Sequence, residues 1–172
     1  MFKRTDKINY YLDIAASVLE RSTCLRRKYG AIIVRNDEIL STGYNGAPRG
    51  RRNCTDLGLC MRENLGIPSG QRYELCRSVH AEANAIISAA RRDMLGGTLY
   101  LVGRDAKTHE LLEETMPCSM CKRLIINAGI TQVVVRTGSE SHKVIHVLSL
   151  IHICWVRLLK ITLKKDNWFR MN

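Results

Sequence analysis

The strongest constraint on this chain is a pair of short segments far apart in sequence, His80-Ala81-Glu82 and Pro117-Cys118-Ser119-Met120-Cys121. Cys118 and Cys121 are three apart at the start of a predicted helix. Both sulfurs face one side there, and the helix N-terminus favours their anionic form. His80 likewise opens a predicted helix. One imidazole and two thiolates make three metal ligands and leave a fourth tetrahedral position open, the arrangement of a catalytic rather than a structural zinc. Glu82 need not be a ligand. Beside a water whose pKa zinc lowers from ~15.7 towards ~7, its carboxylate suits a proton carrier. A fold for this chain has to bring the two helix starts together.

Hydrophobic periodicity supplies the frame. Ile8, Tyr11, Leu12, Ala15 and Leu19 recur at helical spacing and predict a helix from about Lys7 to Arg21. Gly30-Ala31-Ile32-Ile33-Val34 and Ile39 to Tyr44 read as strands joined by a short Asn36-Asp37 connection. From Asn45 to about Ser78 the pattern is lost, and a stretch that long needs something to tie it down. His80 to Arg92 reads as a helix, Thr98 to Val102 as a strand, Cys118 to Ala128 as a helix ended by Gly129, and Ile130 to Arg136 as a strand. Helices and strands in this order give an α/β layered sheet.

A length of 172 residues suits one domain with a real core. An apolar fraction of 45% with 25% charged residues excludes wholesale disorder. No apolar run approaches the ~18 residues of a bilayer span. The N-terminus has no apolar signal region, so a cytoplasmic setting without a membrane partner is expected. Seven cysteines in such a setting point to metal ligation rather than disulfides.

The last 25 residues differ in kind. Leu148-Ser149-Leu150-Ile151-His152-Ile153 matches what a common transposon-derived sequencing adapter encodes in frame. The natural sequence is therefore expected to end near Val147. The domain then covers residues 1–147, with an insertion at about 46–78, and 148–172 is an atypical basic tail; the alternative is a genuine basic C-terminal helix. The net charge of +11 permits a nucleic-acid partner. The tail holds five Lys/Arg and one acid, so without it the charge is +7, which suits an anionic nucleotide and no longer asks for nucleic acid.

H-x-E followed by P-C-x-x-C is a signature of zinc deaminases. With Arg21-Ser22-Thr23-Cys24, Gly30-Ala31-Ile32-Ile33-Val34, Gly43-Tyr44-Asn45-Gly46 and Val79-His80-Ala81-Glu82-Ala83-Asn84-Ala85-Ile86, the chain resembles the deoxycytidylate deaminase family of the cytidine deaminase-like superfamily over residues 7–147. The resemblance implies a three-layer αβα fold with a central mixed sheet and hydrolysis of dCMP to dUMP and ammonia, supplying precursor for dTTP. It matches His80, Cys118 and Cys121 to the catalytic zinc ligands, Glu82 to the proton shuttle and Asn45 to a contact with the substrate sugar. It also implies a homo-oligomer, often a hexamer, activated by dCTP with magnesium (Mg2+) and inhibited by dTTP.

Cys24, Cys54, Cys60 and Cys76 flank or lie in the irregular stretch, and four thiolates suit a closed structural zinc that pins it. The alternative is free thiols. Arg26, within Arg26-Arg27-Lys28, could meet the substrate phosphate, as could Arg49, Arg51 and Arg52; a solvated turn is the other reading of each. Arg91, past Glu82 on the same predicted helix, could approach a nucleotide or a neighbouring subunit. His109, His142 and His146 read as surface or strand histidines, and Cys154 receives no role. Two other functions compete: a deaminase acting on a base in nucleic acid, and a zinc-stabilised competence-associated binding protein. The chain lacks an aromatic-interleaved basic stripe for the first, and Glu82 argues against the second.

Overall fold

In the computed structural model, which describes residues 4–68 and 70–150, five strands form one mixed sheet in the order β2-β1-β3-β4-β5. Helix α1 spans Lys7–Leu19, β1 Arg27–Arg35 and β2 Glu38–Tyr44. The insertion carries the short helices α2 (Cys54–Leu57) and α3 (Met61–Asn64) and a 3₁₀ turn at Tyr73–Leu75. Then follow α4 (Ala81–Ile87), α5 (Arg91–Met94), β3 (Thr98–Asp105), α6 (Ser119–Ala128), β4 (Gln132–Arg136) and β5 (His142–His146). Strand β1 is antiparallel to both β2 and β3; β4 is parallel to β3 and antiparallel to β5.

Asn36 and Asp37 both adopt positive φ, 51° and 68°, as a tight two-residue hairpin turn requires. Along β1 successive side chains take opposite faces. Ile32 and Val34 join Tyr11, Leu12, Ala15 and Leu19 of α1 in one core, while Ala31 and Ile33 join α4, α6 and Ile125 in the other. Burial on both faces is why β1 reads as an unbroken apolar run. The result is the expected three-layer αβα arrangement.

Two glycines let the helices approach. A Cβ on Gly30 would lie 2.1 Å from the Ala15 carbonyl oxygen of α1, and one on Gly43 would lie 2.2 Å from that of Ala81 in α4. Around Gly43, Ser41 Oγ donates to the Ala85 carbonyl at 2.8 Å, and Asn84 Nδ2 donates to the Tyr44 carbonyl at 2.8 Å. These bonds fix α4 against β2.

The structure corrects several expectations. The helix expected over His80–Arg92 is two: α4 stops at Ile87, where Ser88 Oγ bonds back to the Asn84 carbonyl at 2.7 Å. Arg91 therefore lies on α5, and its Nε donates to the Asn127 carbonyl at 2.8 Å. Strand β1 begins at Arg27, where polar residues are paired in register with Gly103, Arg104 and Asp105. Strand β5 was not foreseen, and it places His142 and His146 on a strand. Leu150, just beyond the expected boundary at Val147, is 2% exposed and packs in the core with Ile145 and Val147. The remainder of the tail, Cys154 included, lies outside the described residues. No helix of the described residues is long and apolar enough to cross a membrane.

Candidate metal and substrate site

The starts of α4 and α6 meet on one side of the sheet. His80 is the N-cap of α4 and Cys118 the N-cap of α6. His80 Nδ1 lies 3.4 Å from the sulfurs of both Cys118 and Cys121. The three donor atoms lie within 4.8 Å of one another and are the one such group among the described residues. Nitrogen and sulfur donors at these separations fit a shared tetrahedral ion at ~2.0–2.3 Å from each, the preference of zinc. The expected triplet is thus assembled.

Local electrostatics favour thiolate. Cys118 is held down to about 4 by the Cys121 thiol, against burial, with help from His80 and the Cys121 backbone N–H, which donates to Cys118 Sγ at 3.4 Å. Cys121, the protonated partner of that pair, is pushed up. Burial draws the His80 imidazole down, but Cys118 and Glu82 outweigh it and hold the ring above its ordinary value. Glu82 is 5% exposed, and burial raises its carboxyl. A buried carboxylate with a raised pKa beside three metal donors can both take up and return a proton.

These groups open into a cavity also lined by Arg26, Arg27, Tyr29, Asn45, Arg62 and Tyr73. Asn45 is a junction. Its Oδ1 accepts from Ser22 Oγ at 2.6 Å and from the Tyr29 N–H at 2.7 Å, and its Nδ2 donates to the Arg27 carbonyl at 2.8 Å. One amide hydrogen remains for a ligand. Arg26 faces the Glu63 carboxylate at 3.7 Å.

Cys24, Cys60 and Cys76 line the same cavity. All four cysteines of the proposed second site carry free thiols. Burial raises Cys54, and the charges of Cys24, Cys60 and Cys76 add to the shift, which places the four in one neighbourhood. They are more loosely gathered than the triplet, since they do not meet the same mutual spacing. Lys28 lines a separate hollow with Lys107, and Arg49 and Arg51 line a third with Arg21. Arg52 Nη2 donates to the Asp56 carbonyl at 3.3 Å, and His109 adopts a positive φ of 62° in the loop after β3.

Sequence reasoning missed Arg62 and Tyr73. Tyr73 meets the His80 ring edge-on, centroids 4.8 Å apart, and the Arg62 guanidinium lies 4.5 Å from the Tyr73 centroid. The available signal was proximity, because Arg62 stands two residues from Cys60 and Tyr73 three from Cys76.

The family model of the cytidine and deoxycytidylate deaminase zinc-binding region matches residues 5–137. A deoxycytidylate deaminase of Mycobacterium phage D29 is 39% identical over 136 residues, covering 76% of this chain and 94% of that protein. One of Schizosaccharomyces pombe is 34% identical over 150 residues, covering 87% of this chain and 42% of that protein. The apo crystal structure of dCMP deaminase from cyanophage S-TIM5 superposes with a TM-score of 0.53 at 26% identity, covering 78% of this chain and 85% of that one. The chain thus spans nearly all of the mycobacteriophage relative and under half of the yeast one.

Proposed function

The chain belongs to the cytidine and deoxycytidylate deaminase family, and on that premise we propose that it hydrolyses dCMP to dUMP and ammonia. The observation that carries this reading is the buried Glu82 carboxylate beside the His80–Cys118–Cys121 triplet, at the floor of a cavity lined by arginines. His80, Cys118 and Cys121 would hold the zinc, which supplies Lewis acidity to make water a nucleophile near neutral pH. Glu82 would carry one proton of the attacking water to the ring nitrogen and a second, from the hydroxyl so formed on the ring, to the departing amine. Burial suits the shuttle, because a carboxylate whose pKa is raised is a stronger base and takes up a proton more readily before passing it on. Asn45 offers its remaining amide hydrogen to the sugar, and Arg26 is placed to meet phosphate once Glu63 yields it.

The second zinc belongs to the same proposal: Cys24, Cys54, Cys60 and Cys76 would form a closed site that pins the insertion. Their free thiols and shared neighbourhood support it. A cytoplasmic setting, in which thiols stay reduced, and a homo-oligomer, up to a hexamer, are parts of the same proposal. Effector binding of dCTP with magnesium, opposed by dTTP, is supported by the hollow lined by Arg21, Arg49 and Arg51, whose cations suit a polyphosphate.

Ammonia release from dCMP, dCTP, deoxycytidine and a cytosine-containing oligonucleotide tests the reading, with Glu82→Gln as control. Turnover is expected to favour dCMP and to vanish in the variant while zinc stays bound. Activity confined to the oligonucleotide would overturn it.

A further inference from the structure

Among the described residues two arginines are 7% exposed, and they are provided for differently. Arg136 Nη2 pairs with the Asp13 carboxylate at 2.7 Å and with the Asn9 carbonyl at 3.1 Å, while Nη1 donates to the Ser139 carbonyl at 2.6 Å. Arg62 donates one bond, Nη2 to the Pro68 carbonyl at 2.8 Å, and lies over the face of Tyr73. Its buried Nε, like that of Arg136, has no partner among the described residues, so the two differ in the carboxylate that Arg136 has and Arg62 lacks. No carboxylate of the described residues comes within ion-pair distance of it: neighbouring Glu63 faces Arg26, and Glu74 pairs with Arg72 at 3.2 Å. A buried guanidinium without an anion is costly, and the cost is relieved when an anion arrives.

The position says which anion. Arg62 lines the cavity together with His80 and Glu82, and one aromatic ring, Tyr73, separates its guanidinium from the His80 ring. A pyrimidine nucleotide carries its amine and its phosphate at opposite ends. With the amine at the metal triplet, the phosphate has to find cations across the cavity. Of the other cations on that wall, Arg26 faces Glu63 at 3.7 Å and meets phosphate only once that carboxylate yields, while Arg27, in no ion pair among the described residues, stands beside Tyr29.

We propose that Arg62 is a specificity-determining residue whose guanidinium takes the 5′-phosphate of the substrate, so that the insertion rather than the catalytic frame selects nucleotide over nucleoside. This rests on the deaminase reading above. The planar guanidinium over Tyr73 spends one bond on the Pro68 carbonyl, and its remaining N–H donors can form the fork that binds phosphate in a bidentate manner. Tyr73 acts as a positioning residue that keeps this fork at a fixed distance from His80.

The experiment compares the zinc-loaded full chain with Arg62→Gln and Arg62→Lys, measuring kcat/KM for dCMP and for deoxycytidine. Arg62→Gln is expected to lose roughly 10- to 100-fold on dCMP, mostly in KM, with deoxycytidine changed less than about twofold. Arg62→Lys restores part of the loss. An equal fall on both substrates, or no change on either, would overturn the assignment. Calorimetric titration with inorganic phosphate and with dUMP reads the anion site without turnover. Binding by the parent that disappears in Arg62→Gln supports the assignment, and binding that the variant retains refutes it. A parent protein inactive on dCMP yet binding phosphate through Arg62 would defeat the deaminase reading alone.

Discussion

The two cysteine-bearing clusters of this protein are built from different material. The triplet His80, Cys118 and Cys121 stands on the starts of α4 and α6, both packed on the sheet, and its donors lie within 4.8 Å of one another. Cys54, Cys60 and Cys76 stand on the short helices and turns of the insertion, and Cys24 on the segment between α1 and β1. Secondary structure shapes the first cluster before any ion arrives. The proposed zinc of the second would supply its order, because metal binding and folding are coupled where no rigid frame exists. The difference teaches a division of labour: the frame supplies the reactive groups, and the insertion adds Arg62 and Tyr73 to a cavity wall it shares with Arg26, Arg27, Tyr29 and Asn45.

The largest effect expected within the first cluster is on chemistry alone. Glu82→Gln should lower kcat by about 10²- to 10⁴-fold or more, with the zinc content of the purified protein unchanged; loss of zinc in this variant would erase the distinction between holding metal and moving protons. Cys54→Ala should remove one zinc of two per chain and lower Tm, while Cys118→Ala should remove one zinc and all turnover with little change in Tm. A parent zinc-to-chain ratio near one would break the comparison at its root.

Smaller effects separate the two sheet faces. An added methyl at Gly43 or at Gly30 must displace a helix backbone that now lies within 2.2 Å of the new atom. Each Ala variant should cost about 1–3 kcal/mol by denaturant titration. Only Gly43→Ala should also depress kcat, because α4 carries His80 and Glu82 while α1 carries no cavity residue. Asn84→Ala, which removes the bond from α4 to the Tyr44 carbonyl, should cost about 0.5–1.5 kcal/mol with a slight fall in kcat.

The contrast also explains what could be read from the sequence. The spacing of Cys118 and Cys121 is a local property of one helical turn, so the triplet was legible without knowing the path of the chain. The buried run Ala31–Val34 announced the central strand because both faces are covered. Strand β5 was not legible: among His142–His146 only Ile145 is buried, and an edge strand of polar residues lacks the usual alternation. Beyond their nearness in sequence to Cys60 and Cys76, nothing marked Arg62 and Tyr73. Their approach to His80 depends on the three-dimensional route of the insertion, and no periodicity encodes that route. The break between α4 and α5 turned on one side chain, Ser88, bonding back to the helix it ends.

The insertion leaves and rejoins the frame at a single place. Gly46 and Val79 form an isolated antiparallel bridge, the Gly46 N–H donating to the Val79 carbonyl at 3.2 Å and the Val79 N–H to the Gly46 carbonyl at 2.8 Å. With its ends clasped, the enclosed segment can lengthen or shorten at small entropic cost, about 0.6 kcal/mol for each doubling. The clasp makes the selecting wall an exchangeable cassette: a different segment grafted between Gly46 and Val79 would redirect which molecules are admitted while the proton chemistry of the host remained in place.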